Sequence, residues 1–82
     1  MNTQIRAVLA EHARLAVDAA ALGDDDDLYA AGMTSHASVT VMLALEDSFE
    51  VEFPESMLKK QTFGSVAAIR GALTELVPAL AR

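Results

Sequence analysis

In the opening stretch NTQIRAVLAEHARLAV the apolar positions Ile5, Val8, Leu9, Leu15 and Ala16 recur at helical spacing while Arg6, Glu11 and Arg14 fall elsewhere. That period belongs to an amphipathic helix with one face to bury. No stretch of the chain makes a convincing strand, so the partners for that face must be other helices. At 82 residues the chain is a single domain, 1–82, near the lower limit for a self-sufficient core. A binding or carrying role suits that size better than catalysis.

Helical signals return twice more at full length. Between them, residues 18–34 break the pattern with Gly23, the run Asp24, Asp25, Asp26, Asp27, and Gly32. This is a long loop, and Leu28 and Tyr29 are apolar enough to tether it to the core. A second helix is predicted from residue 35 to about 50, before VEFPES, where Pro54 cannot continue it. SMLKK is a short helical candidate of one or two turns. Thr62 is a plausible N-cap for a last helix over 64–80, with Val66, Ile69, Leu73 and Leu76 on its inner stripe and Pro78 fraying its end. The expectation is an all-α fold: a small four-helix bundle of three main helices and one short one, with a long loop between the first and second. There is no internal repeat.

Twelve carboxylates against six basic side chains give a net charge of −6. Such a surface repels nucleic acid and anionic membranes and attracts basic patches on proteins. The chain has no cysteine, which rules out a disulfide framework and thiolate metal sites and fits a reducing compartment. The start lacks the apolar core of a secretion signal, and no segment approaches the roughly eighteen apolar residues of a membrane span. A cytoplasmic, soluble monomer is expected.

On a wheel, the second helix groups Met42, Leu45 and Phe49, flanked by Val41 and Val39, as its core face. The opposite side collects His36, Thr40, Leu43, Asp47 and Glu50. Leu43 is thus expected to be exposed among acids. One exposed leucine is ordinary on any protein surface. An apolar anchor with an acidic rim is also a docking face for a partner with a hydrophobic dimple ringed by Arg and Lys.

At the start of this helix stands GMTSHAS, residues 32–38. Ser35 or Thr34 can serve simply as the N-cap, worth about 1 kcal/mol. A hydroxyl at a helix N-terminus is equally well placed to carry a phosphodiester, because free N–H groups and the helix dipole favour negative charge there. The segment DLYAAGMTSHASVTVMLALEDSFEVEFP resembles the heart of the acyl carrier proteins. In that family a loop ends in Gly, a hydrophobic residue, Asp and Ser; a helix follows that ends in Leu-Glu, acid, Phe, and then a short Ile-Pro exit. Gly32 and Met33 match the opening, Ser35 falls on the modified serine, and Leu45, Glu46, Phe49, Phe53 and Pro54 follow in register. TFGSVAAI is similar to the family's entry into its last helix.

The resemblance implies that Ser35 bears 4′-phosphopantetheine, installed from coenzyme A by a phosphopantetheinyl transferase, and that the arm holds an acyl or aminoacyl thioester for partner enzymes. It implies partner recognition by Met33, Thr34, His36, Thr40, Leu43, Glu46 and Asp47. Two positions depart from the pattern: Thr34 replaces the usual Asp and His36 the usual Leu or Met. These put in question which transferase modifies the chain. Together with Thr40, where fatty-acid carriers often have an acid, they lean towards a specialised amino acid carrier. Small carriers of that kind are loaded by a ligase resembling a class II aminoacyl-tRNA synthetase, and a downstream transferase takes the cargo on.

Other classes fit less well. An EF-hand loop beginning at Asp24 or Asp25 would need an acid at its fifth position, Gly at its sixth and Glu at its twelfth, where the chain has Leu28, Tyr29 and Ser35, or Tyr29, Ala30 and His36. A solvated acidic loop is expected instead, and no metal site. Ser35 and His36 point about 100° apart on a helix and make a poor nucleophile–base pair. No glycine-rich phosphate loop is present, so the chain is not expected to be an enzyme. His12 is a boundary residue rather than a ligand, and His36 tunes partner recognition. The remaining rival is an unmodified acidic helical interaction module, which would gain no mass from coenzyme A and a transferase.

Overall fold

The computed structural model describes residues 2–77; Pro78 and Leu80, assigned above to the end of the last helix, lie outside them. Three helices form, α1 at Asn2–His12, α2 at Ser35–Phe49 and α3 at Val66–Leu76, with no strand among the described residues. The fold is all-α, with the long loop between α1 and α2 as expected. Ile5 and Leu9 of α1, Val41 and Leu45 of α2, and Ile69 and Leu73 of α3 are fully buried against one another. Each contributes about 1.5–3 kcal/mol relative to an exposed side chain.

Some ends of the elements differ from the sequence reading for identifiable reasons. α1 stops at His12 instead of continuing through Leu15 and Ala16, because Arg14 takes a left-handed conformation with φ 54°. Glycine usually fills that role at a helix C-terminus, so no sequence signal marked it. Leu15 still packs against the core, and the Ala16 N–H donates to the Ala31 carbonyl at 2.8 Å, tying the two ends of the loop together. α2 runs over the expected range, and Glu50 closes it in the same left-handed conformation, φ 54°. Its buried line runs through Ala37, Val41 and Leu45. That line is rotated from the expected core face, so Met42 and Phe49 are half-buried and Val39 is 50% exposed.

The short helix expected at SMLKK is two 3₁₀ turns, Glu55–Met57 and Lys60–Phe63. Thr62 lies within the second turn and does not cap α3; Ser65 does, its Oγ accepting from the Ala68 N–H at 3.1 Å. The chain stays in a turn that far because Phe63 must reach the core. There it meets Phe53 edge-to-face, with ring centroids 5.3 Å apart. Leu28, fully buried, anchors the long loop, and its N–H donates to the Gly64 carbonyl at 2.8 Å. The tether predicted for Leu28 is therefore present.

The four aspartates do more than solvate the loop. Asp24 pairs with Arg6 at 2.7 Å and Arg70 at 3.0 Å, joining the loop to α1 and α3. Arg6 Nη1 also donates to the carbonyls of Ala19 and Leu22, each at 2.7 Å. Asp26 accepts from the Gly23 N–H and Asp27 from the Tyr29 N–H, the usual local turns of aspartate. No three metal-ligating side chains cluster among the described residues. No described helix is long and apolar enough to cross a membrane.

Candidate functional site around Ser35

Gly32 sets the approach to the site. Its φ of 119° is a conformation that side chains rarely adopt, and an added Cβ would lie 3.0 Å from the Ala16 backbone nitrogen. The chain thus turns tightly against the start of the loop before entering α2. Met33 follows, only 2% exposed, with its N–H bonded to the Leu28 carbonyl at 3.0 Å. Met33 was expected among the recognition residues; its side chain instead belongs to the core and fixes where α2 begins.

Three hydroxyls lie close together here, and they are not equivalent. Thr34 is the N-cap: its Oγ1 accepts from the Ala37 N–H at 3.0 Å. Ser38 Oγ donates to the Ser35 carbonyl at 2.7 Å. Ser35 is the first helical residue, exposed, and its hydroxyl has no hydrogen-bond partner among the described residues. Of the two capping candidates, Thr34 fills the role, which leaves Ser35 available for chemistry. The first turn of α2 holds no acidic residue, so the free N–H groups there favour an anion without a competing carboxylate. Ser35 can therefore carry a phosphodiester on Oγ with little electrostatic cost.

Beside Ser35 lies an open cavity of about 320 Å³. Its lining combines the apolar Val39, Met42, Leu58 and Phe63 with Tyr29, Lys59 and Lys60. The Tyr29 hydroxyl donates to the Lys60 carbonyl at 3.2 Å, and Lys60 Nζ stands 4.9 Å from the Tyr29 ring centroid, a cation–π contact. None of this was read from the sequence. The signal available was the adjacency of two lysines in an acidic chain, together with a tyrosine in the loop.

The other expected recognition residues separate into two groups. His36, Thr40, Leu43 and Asp47 are exposed on one side of α2, Leu43 at 56%. Glu46 is half-buried, and its Oε2 accepts from the Phe53 N–H at 2.9 Å. It was expected to face a partner, but its carboxylate holds the segment after α2 against the helix. His12 is half-exposed at the end of α1, with Nε2 3.4 Å from Glu11.

Comparison with known proteins adds four findings. The family described as phosphopantetheine attachment site matches residues 3–69. An aminoacyl carrier protein of Agrobacterium fabrum (strain C58 / ATCC 33970) is 44% identical over 69 residues, 84% of this chain and 83% of that protein. Among solved structures, one match comes from an engineered Bradyrhizobium japonicum glycine:[carrier protein] ligase complexed with carrier protein from Agrobacterium tumefaciens and AMP. It has a TM-score of 0.88 and 40% identity, covering 90% of this chain and 99% of that one. A protein of Agrobacterium tumefaciens known from its solution structure matches with a TM-score of 0.75 and 37% identity over 99% of this chain and 98% of that one.

Proposed function

Since the chain belongs to the phosphopantetheine attachment site family, we propose that it is a stand-alone aminoacyl carrier protein modified at Ser35. The protein is a carrier and not itself a catalyst. Its prosthetic group, 4′-phosphopantetheine, supplies the thiol that this cysteine-free chain lacks, and that thiol holds a carboxylic acid as a thioester. The chain's own residues attach, present and identify. Ser35 is supported as the attachment point because, of the three neighbouring hydroxyls, it alone is both exposed and unengaged among the described residues.

An amino acid as cargo is supported by the 44% identity to an aminoacyl carrier protein. A ligase as loading partner is supported by the likeness to the structure that contains a glycine:[carrier protein] ligase with its carrier. We assign the docking face to His36, Thr40, Leu43 and Asp47, where an apolar anchor stands among polar and acidic side chains. A phosphopantetheinyl transferase and a downstream aminoacyl transferase complete the set of partners. The ligase would be of the class II aminoacyl-tRNA synthetase type. The carrier would work as a cytoplasmic, single-domain monomer.

The test is intact-protein mass spectrometry before and after incubation with coenzyme A, magnesium and a broad-specificity phosphopantetheinyl transferase, with peptide mapping of the product. A gain of one phosphopantetheine on Ser35, followed by charging with an amino acid by an adenylating ligase, is the expected result. No gain with several transferases would reduce the protein to an unmodified interaction module. Charging by an acyl ligase alone would keep the carrier and overturn its cargo.

A further inference from the structure

Lys59 and Lys60 are the chain's only lysines; its other basic side chains are arginines, and it has no cysteine. A guanidinium stays charged and is no nucleophile, so the side-chain amines of the whole protein are these two. Both line the cavity that Ser35 borders. Their settings differ. Lys60 Nζ is held 4.9 Å from the Tyr29 ring centroid by the cation–π contact. Lys59 is exposed, and its amine has no partner among the described residues. No carboxylate among the described residues lines the cavity to pair with it. A lysine amine in its neutral form is a nucleophile towards carbonyl carbon, and a thioester offers such a carbon.

We propose that Lys59 is an acyl acceptor for this carrier's own cargo: a group held as a thioester on the arm passes to Lys59 Nζ when no partner enzyme holds the arm. This rests on attachment at Ser35. The neutral amine attacks the thioester carbonyl, the C–N bond forms and the C–S bond breaks. Sulfur leaves as the thiolate and takes up the proton that the nitrogen gives up. The products are an amide on Lys59 and the free thiol of the arm, so the step balances with no further reactant. Its driving feature is the tether, because cargo and amine belong to one small molecule and meet at an effective concentration that free thioester in solution does not reach. The amide is more stable than the thioester, so the transfer runs one way and that cargo is lost to later enzymes, while the thiol is free to be loaded again. The event occurs once per lysine and is a modification, not catalysis. A partner that draws the arm into its own site suppresses it, so Lys59 registers the time a loaded carrier spends undocked.

The test starts from protein loaded directly, with acetyl-coenzyme A or glycyl-coenzyme A as the donor for a broad-specificity phosphopantetheinyl transferase. After removal of the donor, the protein is held at mildly alkaline pH, treated with hydroxylamine, which cleaves thioesters and spares amides, and analysed by intact and tandem mass spectrometry. Expected are one hydroxylamine-resistant acyl group on Lys59, an equal amount of freed thiol, and a first-order rate independent of protein concentration. Lys59→Arg, which keeps the charge, should lower the resistant product at least tenfold. Tyr29→Leu, which releases Lys60 from the ring, should add product at Lys60. Ser35→Ala mixed with free acetyl-coenzyme A at the protein's own concentration should stay unlabelled over the same time. If the arm is on Ser35 but its thioester only hydrolyses, Lys59 is no acceptor and the carrier reading stands. A resistant group spread evenly over both lysines, or a rate that rises with protein concentration, would likewise overturn the assignment to Lys59. No arm on Ser35 would bring down the carrier reading and the acceptor together.

Discussion

Thr34 caps α2 and the adjacent Ser35 is the proposed attachment point, and mutation can separate the two roles. Thr34 Oγ1 accepts from the Ala37 N–H, so Thr34→Ala should cost about 1 kcal/mol, or about 4–8 °C in melting temperature for a domain of this size, while Ser35 still accepts the arm. Ser35→Ala removes an exposed hydroxyl with no described partner, so stability should change by no more than about 0.5 kcal/mol and all loading should be lost. Thermal melts combined with intact mass decide the matter; a variant with Ala at 35 that still gains the arm would move the site to Ser38 or Thr34. Leu43 poses the complementary question. Because it is 56% exposed, Leu43→Arg should leave helicity and melting temperature unchanged and raise the KM of the loading ligase for the carrier. A fall of several degrees in melting temperature would instead mean that Leu43 supports the fold.

Among the elements, the long loop depends most on electrostatics. Asp24 joins it to α1 through Arg6 and to α3 through Arg70, and the Asp24 carbonyl also accepts from the Ala67 N–H at 2.9 Å. The hydrogen bonds from Arg70 and then Arg6 hold the Asp24 carboxyl below its ordinary value of 3.8. A carboxyl lowered in the folded state binds fewer protons there than in the unfolded chain. Its stabilisation is complete above the unfolded value and disappears as pH falls through the lowered folded value. The urea midpoint of wild type should therefore exceed that of Asp24→Asn at neutral pH, and the gap should close as pH drops below 3.8. A gap independent of pH would mean that the clasp contributes packing and not charge. The side chain is 40% exposed, so the gap should also shrink in high salt. This clasp was not legible in the sequence, because it joins residues 18 and 46 positions apart, and four consecutive aspartates read alike until the fold singles one out. The start of α2 was legible, since a capping threonine and an apolar periodicity are local signals. The end of α2 near residue 50 was legible as well; that of α1 was not, because Arg14 adopts a left-handed conformation that its residue type disfavours.

At the scale of the whole molecule, the helical stripes carried the reading of the fold, and register around GMTSHAS carried the reading of the site. The cavity escaped because it is assembled from the loop, α2 and the 3₁₀ turns at once. Net charge gives a prediction that needs none of that detail. With −6 on a small body, the carrier should be steered towards a basic docking surface before any specific contact forms. Stopped-flow association with the proposed ligase should slow by roughly tenfold between low and high salt, while the dissociation rate, which the proposed docking at Leu43 would govern, changes little. Asp47→Lys removes an exposed acid beside that contact and reverses its sign, so it should slow association and flatten the salt dependence. Leu43→Arg should act mainly on dissociation. An association rate indifferent to salt would mean that the acidic surface serves solubility alone, and recognition would then rest on the apolar contact and on whatever the ligase reads of the arm.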